Sequence, residues 1–221
     1  RNVMASARAL PPLRKAKNLL KIAYGTPVWA MFYSNNCPCD YFAWCLGNMH
    51  GQIPLLFGYT PVAGDPPYEV FGGSEVNMNL DGAEPIAAAA LLFSAYSRDW
   101  NRRRSNVGEL FGTAQELEAL HIPYEIIGDR TLEEGRLGKY RFLFVGASHC
   151  LSEREVRGIE SFAKGGGTVY LSGLAGTCDE IGEDRAVWPF RSVVGSDPTV
   201  VNGDGVVVDR PCGKGRMIYC T

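Results

Sequence analysis

Residues 151–173 read LSEREVRGIESFAKGGGTVYLSG, and the triple glycine near their end constrains the fold more than any other feature. A phosphate-binding loop runs strand, glycines, then a helix N-terminus whose free N–H groups face the anion. Here the order is reversed. Ser152 and Glu155 fit the capping box S-x-x-E, which opens a helix. Leu151 and Val156 stand where a hydrophobic staple would place them, and Val156, Ile159 and Phe162 or Ala163 follow at core-facing spacing. The glycines close this helix, with Gly165 expected as the left-handed residue, and "TVYLSG" then reads as a buried strand. Neither G-x-G-x-x-G nor G-x-x-x-x-G-K-[ST] occurs in the chain. The glycines are therefore expected to stop a helix rather than to cradle a nucleotide.

The neighbouring segments repeat this grammar. "PIAAAALLFS" (Pro85 to Ser94) is a continuous apolar run, the mark of a strand buried on both faces. A polar loop, "AYSRDWNRRRSN", is expected to follow. "VGELFGTAQELEAL" then places Val107, Leu110, Phe111, Ala114, Leu117 and Leu120 at helical spacing, with Asn106 as N-cap. His121 ends that helix, where it complements the negative end. "PYEII" (Pro123 to Ile127) and "YRFLFVGA" (Tyr140 to Ala147) read as strands. Val206 to Val208 and Met217 to Cys220 read as two more, joined by a Gly-Lys-Gly turn in which Lys214 is exposed. Strands alternating with helices imply right-handed crossovers and a doubly wound, mainly parallel α/β sheet, flavodoxin-like in outline. Ligands of such sheets sit at the carboxyl ends of the strands. The loops expected there are Tyr96 to Asn106, Ser148 to Leu151 and Gly173 to Glu180.

Residues 1–82 differ, being rich in Pro, Gly, aromatics and Cys, and a domain boundary is expected between them and residues 83–221. Hydrophobic residues make up 46% of the 221 and charged residues 21%, as in a soluble globular protein. A net charge of -2 gives no electrostatic case for nucleic acid. The dense basic run Arg102, Arg103, Arg104 reads as a solvated loop. No apolar run reaches the roughly 18 residues a membrane helix needs, so no membrane partner is expected. The N-terminal residues lack the pattern of a signal peptide, and the initial Arg suggests a piece of a longer protein. Seven scattered cysteines do not form a disulfide framework. Reduced thiols in the cytoplasm are the simplest expectation, with room for one bridge.

The combination "LFGTAQELEALHIPYEII … LGKYRFLFVGASHCLSEREVRGIESFAKGGGTVYLSG … GKGRMIYC" resembles the amidotransferase-like trimerisation domain of glycoside hydrolase family 42, the β-galactosidase type, over residues 84–221. "TPVWAMFYSNN", the helix-like stretch through Trp44 and Met49, and "GQIPLLFGYTP" resemble the last strand–helix–strand of the preceding (β/α)₈ barrel, with Pro12 to Ile22 as the barrel helix before it. The resemblance implies a trimer whose α/β domain is non-catalytic and helps to wall a neighbour's active-site cleft, with a carbohydrate, a β-galactoside, as substrate of the whole protein. No cofactor is implied.

Retaining glycosidases use two carboxyl groups roughly 5–5.5 Å apart. The resemblance implies a nucleophilic Glu at the end of the seventh barrel strand, which falls near Phe32. The acids before Glu69 are only Asp40 and Asp65, and neither stands at that strand end. The acid/base Glu would lie upstream of Arg1. Tyr33, Asn35, Asn36 and Trp44 are candidates for stacking on and hydrogen-bonding a sugar, against core and turn roles for the same residues. Cys37, Cys39, Cys45 and His50 form C-x-C-x₅-C-x₄-H, four soft ligands in a spacing unlike the usual zinc patterns. Amidotransferases of this fold carry a Cys nucleophile in a strand-to-helix elbow. Here Ser172 holds that place, and neither G-x-C-x-G nor G-x-S-x-G occurs. Two alternatives stand beside the glycosidase reading: a thiol enzyme using Cys150 or Cys178, and a barrel that binds sugar without cleaving it.

Overall fold

The computed structural model describes residues 29–33, 44–45, 47–48, 53–57, 86–100, 105–199 and 205–221. The chain divides into two compact units, Arg1–Pro85 and Ile86–Thr221. In the first unit, strands β1 (Trp29–Tyr33) and β2 (Ile53–Phe57) pair in parallel, from Trp29 opposite Ile53 to Tyr33 opposite Phe57. Parallel neighbours need a crossover, and the helical residues Trp44, Cys45, Gly47 and Asn48 lie on it. The helix expected over Pro12 to Ile22 lies outside the described residues, as do Arg102 to Arg104.

The second unit is built on a six-stranded sheet ordered β4-β3-β5-β6-β8-β7. The strands are β3 (Ala89–Phe93), β4 (Tyr124–Gly128), β5 (Phe142–Gly146), β6 (Thr168–Ser172), β7 (Val207–Cys212) and β8 (Gly215–Cys220). All neighbours are parallel except the β7–β8 pair, which is antiparallel and sits at one edge. Pro211 on β7 is tolerated because an edge strand can lack a ladder donor. Every residue of β3 is buried, as its continuous apolar run requires of an interior strand.

Among the described residues five helices complete the unit: α1 (Ala95–Trp100), α2 (Ser105–Ala119), α3 (Asp129–Glu133), α4 (Glu153–Gly165) and α5 (Arg191–Val194). Alternate strand residues point to opposite faces, so the sheet carries two sets of apolar contacts. One face joins Leu92, Ile127, Leu143, Val145, Val169, Leu171, Met217 and Tyr219 to Val156, Ile159 and Ala163 of α4. The other face of β3, with Leu91 and Phe93, meets α2, whose buried apolar residues are Leu110, Ala114 and Leu117. Farther along that second face, Phe144, Tyr170 and Ile218 are only half-buried, and the Phe144 and Tyr170 rings lie 5.6 Å apart.

Local expectations need four corrections. The polar segment after β3 is not a loop throughout: Ala95–Trp100 is helical, because the Ser94 hydroxyl accepts from Ser97 N at 3.0 Å and caps it. Helix α2 begins at Ser105, which puts Asn106 inside the first turn. Leu120 is exposed, since the chain has already turned at His121, which adopts φ 55 and ends the helix. The left-handed glycine after α4 is Gly166, at φ 121, not Gly165. Between β4 and β5 the chain also forms the short helix α3, which the apolar pattern does not announce.

The capping box is present as expected. Glu155 N donates to Ser152 Oγ at 3.2 Å, and Ser152 N donates to Glu155 Oε2 at 2.7 Å. The triple glycine stops the helix and also makes a seam. Lys214 N donates to Lys164 O, and Arg216 N donates to Gly167 O, so the β7–β8 turn docks backbone to backbone on the end of α4. A Cβ on Gly215 would come within 2.2 Å of Gly167 O and 2.5 Å of Ala163 O. Backbone oxygens cannot rotate away, whereas a Cβ on Gly165 meets nothing.

Gly215→Ala is therefore expected to destabilise the chain by about 1–3 kcal/mol. Gly165→Ala, in the last helical turn, should be neutral or stabilise by up to about 1 kcal/mol. Urea unfolding of both variants checks the pair. Equal effects would refute the seam.

Candidate functional site

The strand order reverses between β3 and β5, since the chain leaves β3 for β4 on one side and returns to β5 on the other. In open α/β sheets a ligand crevice forms at that switch point, beyond the carboxyl ends of the strands. The segments that meet there are Ser94–Ser97, Asp129–Glu133, Ala147–Glu155 and Gly173–Arg185. All four are held together by polar contacts.

The Cys150 peptide is pinned from both sides. Its carbonyl accepts from Ser94 Oγ at 3.2 Å and from Ser97 Oγ at 3.0 Å, and its N–H donates to Ser97 Oγ at 2.9 Å. The Asp129 carboxylate accepts from Ala95 N through both oxygens, at 2.9 and 3.2 Å, and so caps α1 from another strand end. Glu133 Oε1 accepts from Ser152 Oγ at 2.8 Å and from Tyr96 OH at 3.3 Å. Burial, reinforced by the Glu133 and Asp129 charges, pushes the Tyr96 phenol up to about 12.

Glu155 is fully buried, and only its Oε2 has a hydrogen-bond donor; Oε1 has no partner. Burial first, then the charge of Asp129, pushes Glu155 up to about 9. Burial also raises Asp129. At neutral pH Glu155 is thus a neutral acid. Asp129 lies beside it, and the repulsion between two buried carboxylates adds to the burial that favours the protonated form.

The loop after β6 closes the remaining side. Gly176 N donates to Ser148 O, Cys178 N to His149 O and Leu151 N to Cys178 O. Arg185 reaches Leu151 O at 2.7 Å and Cys178 O at 3.3 Å, and pairs with Glu153. Trp188 Nε1 donates to Ala175 O at 2.7 Å, and Tyr219 OH donates to Gly173 O at 2.8 Å. A shallow polar hollow of about 420 Å³ lies alongside, between α3 and α4, lined by Glu133, Glu134, Arg154 and Arg157.

This arrangement supplies no activated nucleophile. The Cys150 thiol is buried, and burial followed by the influence of Cys178 pushes it up to about 12. Burial and the hydrogen bond to Asp184 raise Cys178 as well. A catalytic thiol needs the opposite shift. Ser172, at the end of β6, donates its hydroxyl to the Glu109 carboxylate of α2.

The other sequence candidates lie in the first unit. Tyr33 is the last residue of β1, and Phe32 precedes it in the strand. Trp44 is buried, at 7% exposure, and its carbonyl accepts from Asn48 Nδ2 at 3.0 Å. Asn35 and Asn36 lie outside the described residues. So do Cys37, Cys39 and His50, while Cys45 is a free, half-buried thiol. Among the described residues no group of three His, Cys, Asp or Glu side chains is placed to hold a metal ion. No helix among them is long and apolar enough to cross a membrane. The Asp129–Glu155 pair was not singled out from sequence. The available signal was Glu155 itself, an acidic residue in an otherwise apolar stripe.

The fold is thus a mixed α/β sheet with a polar switch point closed by its own side chains. No family model matches the sequence, and no curated protein does. Solved structures do match. The catalytic mutant of Gan42B, a GH42 β-galactosidase from G. stearothermophilus, aligns with a TM-score of 0.58 at 17% identity, over 83% of this chain and 38% of that one. The β-galactosidase of the Antarctic haloarchaeon Halorubrum lacusprofundi aligns at 0.57 and 15% identity, over 96% and 44%. The exo-β-1,4-mannosidase Op5Man5 from Opitutaceae bacterium strain TAV5 aligns at 0.54 and 11% identity, over 85% and 45%. This chain therefore has the fold of part of a GH42-like protein, and it spans 38–45% of the length of these three.

The buried carboxyl pair has a pH signature. Folding raises Glu155 from 4.5 to about 9, so between those values the folded chain holds a proton that the unfolded chain has released. Stability is expected to fall as pH rises from 6 towards 9, by at most about 1.4 kcal/mol per pH unit, the value of one proton. Glu155→Gln, which keeps a donor and an acceptor in place, should flatten that slope. Urea midpoints across the range measure it, and an unchanged slope in the variant would rule out the neutral acid.

Proposed function

We propose that this chain is the C-terminal part of a β-galactosidase-type glycoside hydrolase related to family 42. On this reading residues 83–221 form its flavodoxin-like, amidotransferase-like trimerisation domain, and residues 1–82 carry the last strand–helix–strand of its (β/α)₈ barrel. The fold likeness to GH42 β-galactosidases carries the reading, because with the Halorubrum protein it takes in 96% of the chain. The parallel β1–β2 pair with helical residues between supports the barrel remnant. The order β4-β3-β5-β6-β8 supports the domain, being the 2-1-3-4-5 order of flavodoxin-like sheets.

The α/β unit acts as a scaffold. Its crevice is occupied by its own side chains, and burial raises the Cys150 and Cys178 thiols. A sheet in that condition has surfaces to offer rather than chemistry. It joins subunits into a trimer and helps to wall the neighbouring active-site cleft. The substrate of the whole protein is a carbohydrate, a β-galactoside. The catalytic carboxyl pair is expected in the barrel, yet Phe32 and Tyr33 hold the end of β1 where the nucleophilic Glu would stand, so that carboxylate is either elsewhere or lost.

Light scattering after size exclusion should give three subunits per particle for the full-length protein at micromolar concentration. A strict monomer would refute the scaffold role. The 221-residue chain alone should not release nitrophenol from a nitrophenyl β-galactoside that the full-length protein cleaves. Turnover by the chain alone would move the active site into it.

A further inference from the structure

We propose that Cys150 and Cys178 form a reversible disulfide, a redox modification site whose co-substrate is a small-molecule disulfide of the glutathione type. The inference rests on backbone geometry and does not depend on the glycosidase reading. Cys150 and Cys178 are partners in a parallel β-bridge. Two hydrogen bonds fix the bridge and bracket Cys150: Cys178 N to His149 O at 2.9 Å, and Leu151 N to Cys178 O at 3.1 Å. Bridge partners in a sheet lie about 4.8 Å apart and project to the same side. That separation falls within the roughly 4.4–6.8 Å between Cα atoms that a disulfide spans.

The two thiols differ in the way a redox pair requires. Cys178 is half-buried, within reach of a small disulfide, and its Sγ donates to Asp184 Oδ1 at 3.3 Å. Cys150 is buried and rigid, its peptide held by Ser94 and Ser97 on one side and by the bridge on the other. Cys178 is the entry sulfur and Cys150 the resolving one. The Cys178 thiolate attacks one sulfur of the small disulfide, forming a mixed disulfide and releasing one small thiol. The Cys150 thiolate then attacks the Cys178 sulfur and releases the second. Two protein thiols lose two electrons and two protons, and one small disulfide becomes two thiols.

Both thiols are raised by their surroundings, so thiolate is scarce at neutral pH and the reaction speeds up as pH climbs. The same shift makes these thiols poor leaving groups, so the closed disulfide is reduced slowly by monothiols and needs a dithiol to reopen it readily. Closure crosslinks the loop after β5 to the loop after β6 at the switch-point end of the sheet. The unfolded chain loses entropy, and the folded chain has little to rearrange.

The test uses the whole chain, incubated natively with oxidised glutathione at pH 8.5. Intact mass should drop by two hydrogens, peptide mapping should join Cys150 to Cys178, and the melting temperature should rise by roughly 5–10 °C. Dithiothreitol should reverse all three. Cys178→Ser should abolish the closure. Cys150→Ser, if it folds, should instead trap a glutathione adduct on Cys178. If Cys150→Ser does not fold, the mapped crosslink and its loss in Cys178→Ser decide the matter. Both thiols still free for alkylation after prolonged exposure would overturn the proposal, as would a crosslink mapped to Cys212 or Cys220.

Discussion

A parallel sheet covered on its faces leaves peptide groups stranded where its strands end, and satisfying them organises the second unit of this chain. Water is excluded there, so each unpaired N–H or C=O would cost about 1–3 kcal/mol. The sequence supplies partners for several of them, most from distant segments and one from within the same helix cap. Ser94 and Ser97 serve the Cys150 peptide, Asp129 serves Ala95, and Glu155 serves Ser152. Arg185, Trp188 and Tyr219 serve Leu151, Ala175 and Gly173. One consequence is a carboxyl group that must stay neutral. Glu155 already spends one oxygen on its helix cap, and a second negative charge would be repelled by Asp129. Holding a proton resolves both demands.

The opposite end of the sheet solves the same problem without side chains. There the end of α4 and the β7–β8 turn exchange backbone hydrogen bonds directly. Such an approach leaves no room for a Cβ on Gly215, which would strike Gly167 O, while a Cβ on Gly167 would strike the Phe162 ring. Gly213, with φ 60 and the Lys164 backbone within 2.7 Å of a notional Cβ, completes the contact. Carbonyls released by the helix terminus are thereby satisfied by N–H groups of the hairpin. The antiparallel edge strand is thus anchored by the same glycines that end the helix.

What was legible in the sequence follows from the range of each interaction. The strands were readable because burial on both faces demands an uninterrupted apolar run, as in Ala89–Phe93. The capping box was readable because its two members are three residues apart. Helix α1 was missed although its cap, Ser94, was present, because six polar-leaning residues carry no apolar stripe. Helix α3 was missed for the same reason. The switch-point network was illegible because its members lie far apart in the chain: 56 residues separate Ser94 from Cys150. Sequence reading could name Cys150 and Cys178 individually. It could not see that a parallel bridge sets them opposite each other.

That network also bears on what kind of protein this can be. Enzymes place groups at switch points with shifted pKa values, and Glu155 and Cys150 are strongly shifted. The direction decides the meaning. Catalytic acids are tuned towards the working pH and aimed at open space, and catalytic thiols are tuned downwards. Here the acid is enclosed against Asp129, and the thiol is shifted upwards, away from a thiolate at neutral pH. Both shifts come first from burial, not from an opposing charge that would hold a reactive ion in place. A site that has traded its reactive forms for neutral ones has become part of the core. Substitutions there should alter stability and its pH dependence, while any role towards subunits or sugar must be sought on the surfaces around it.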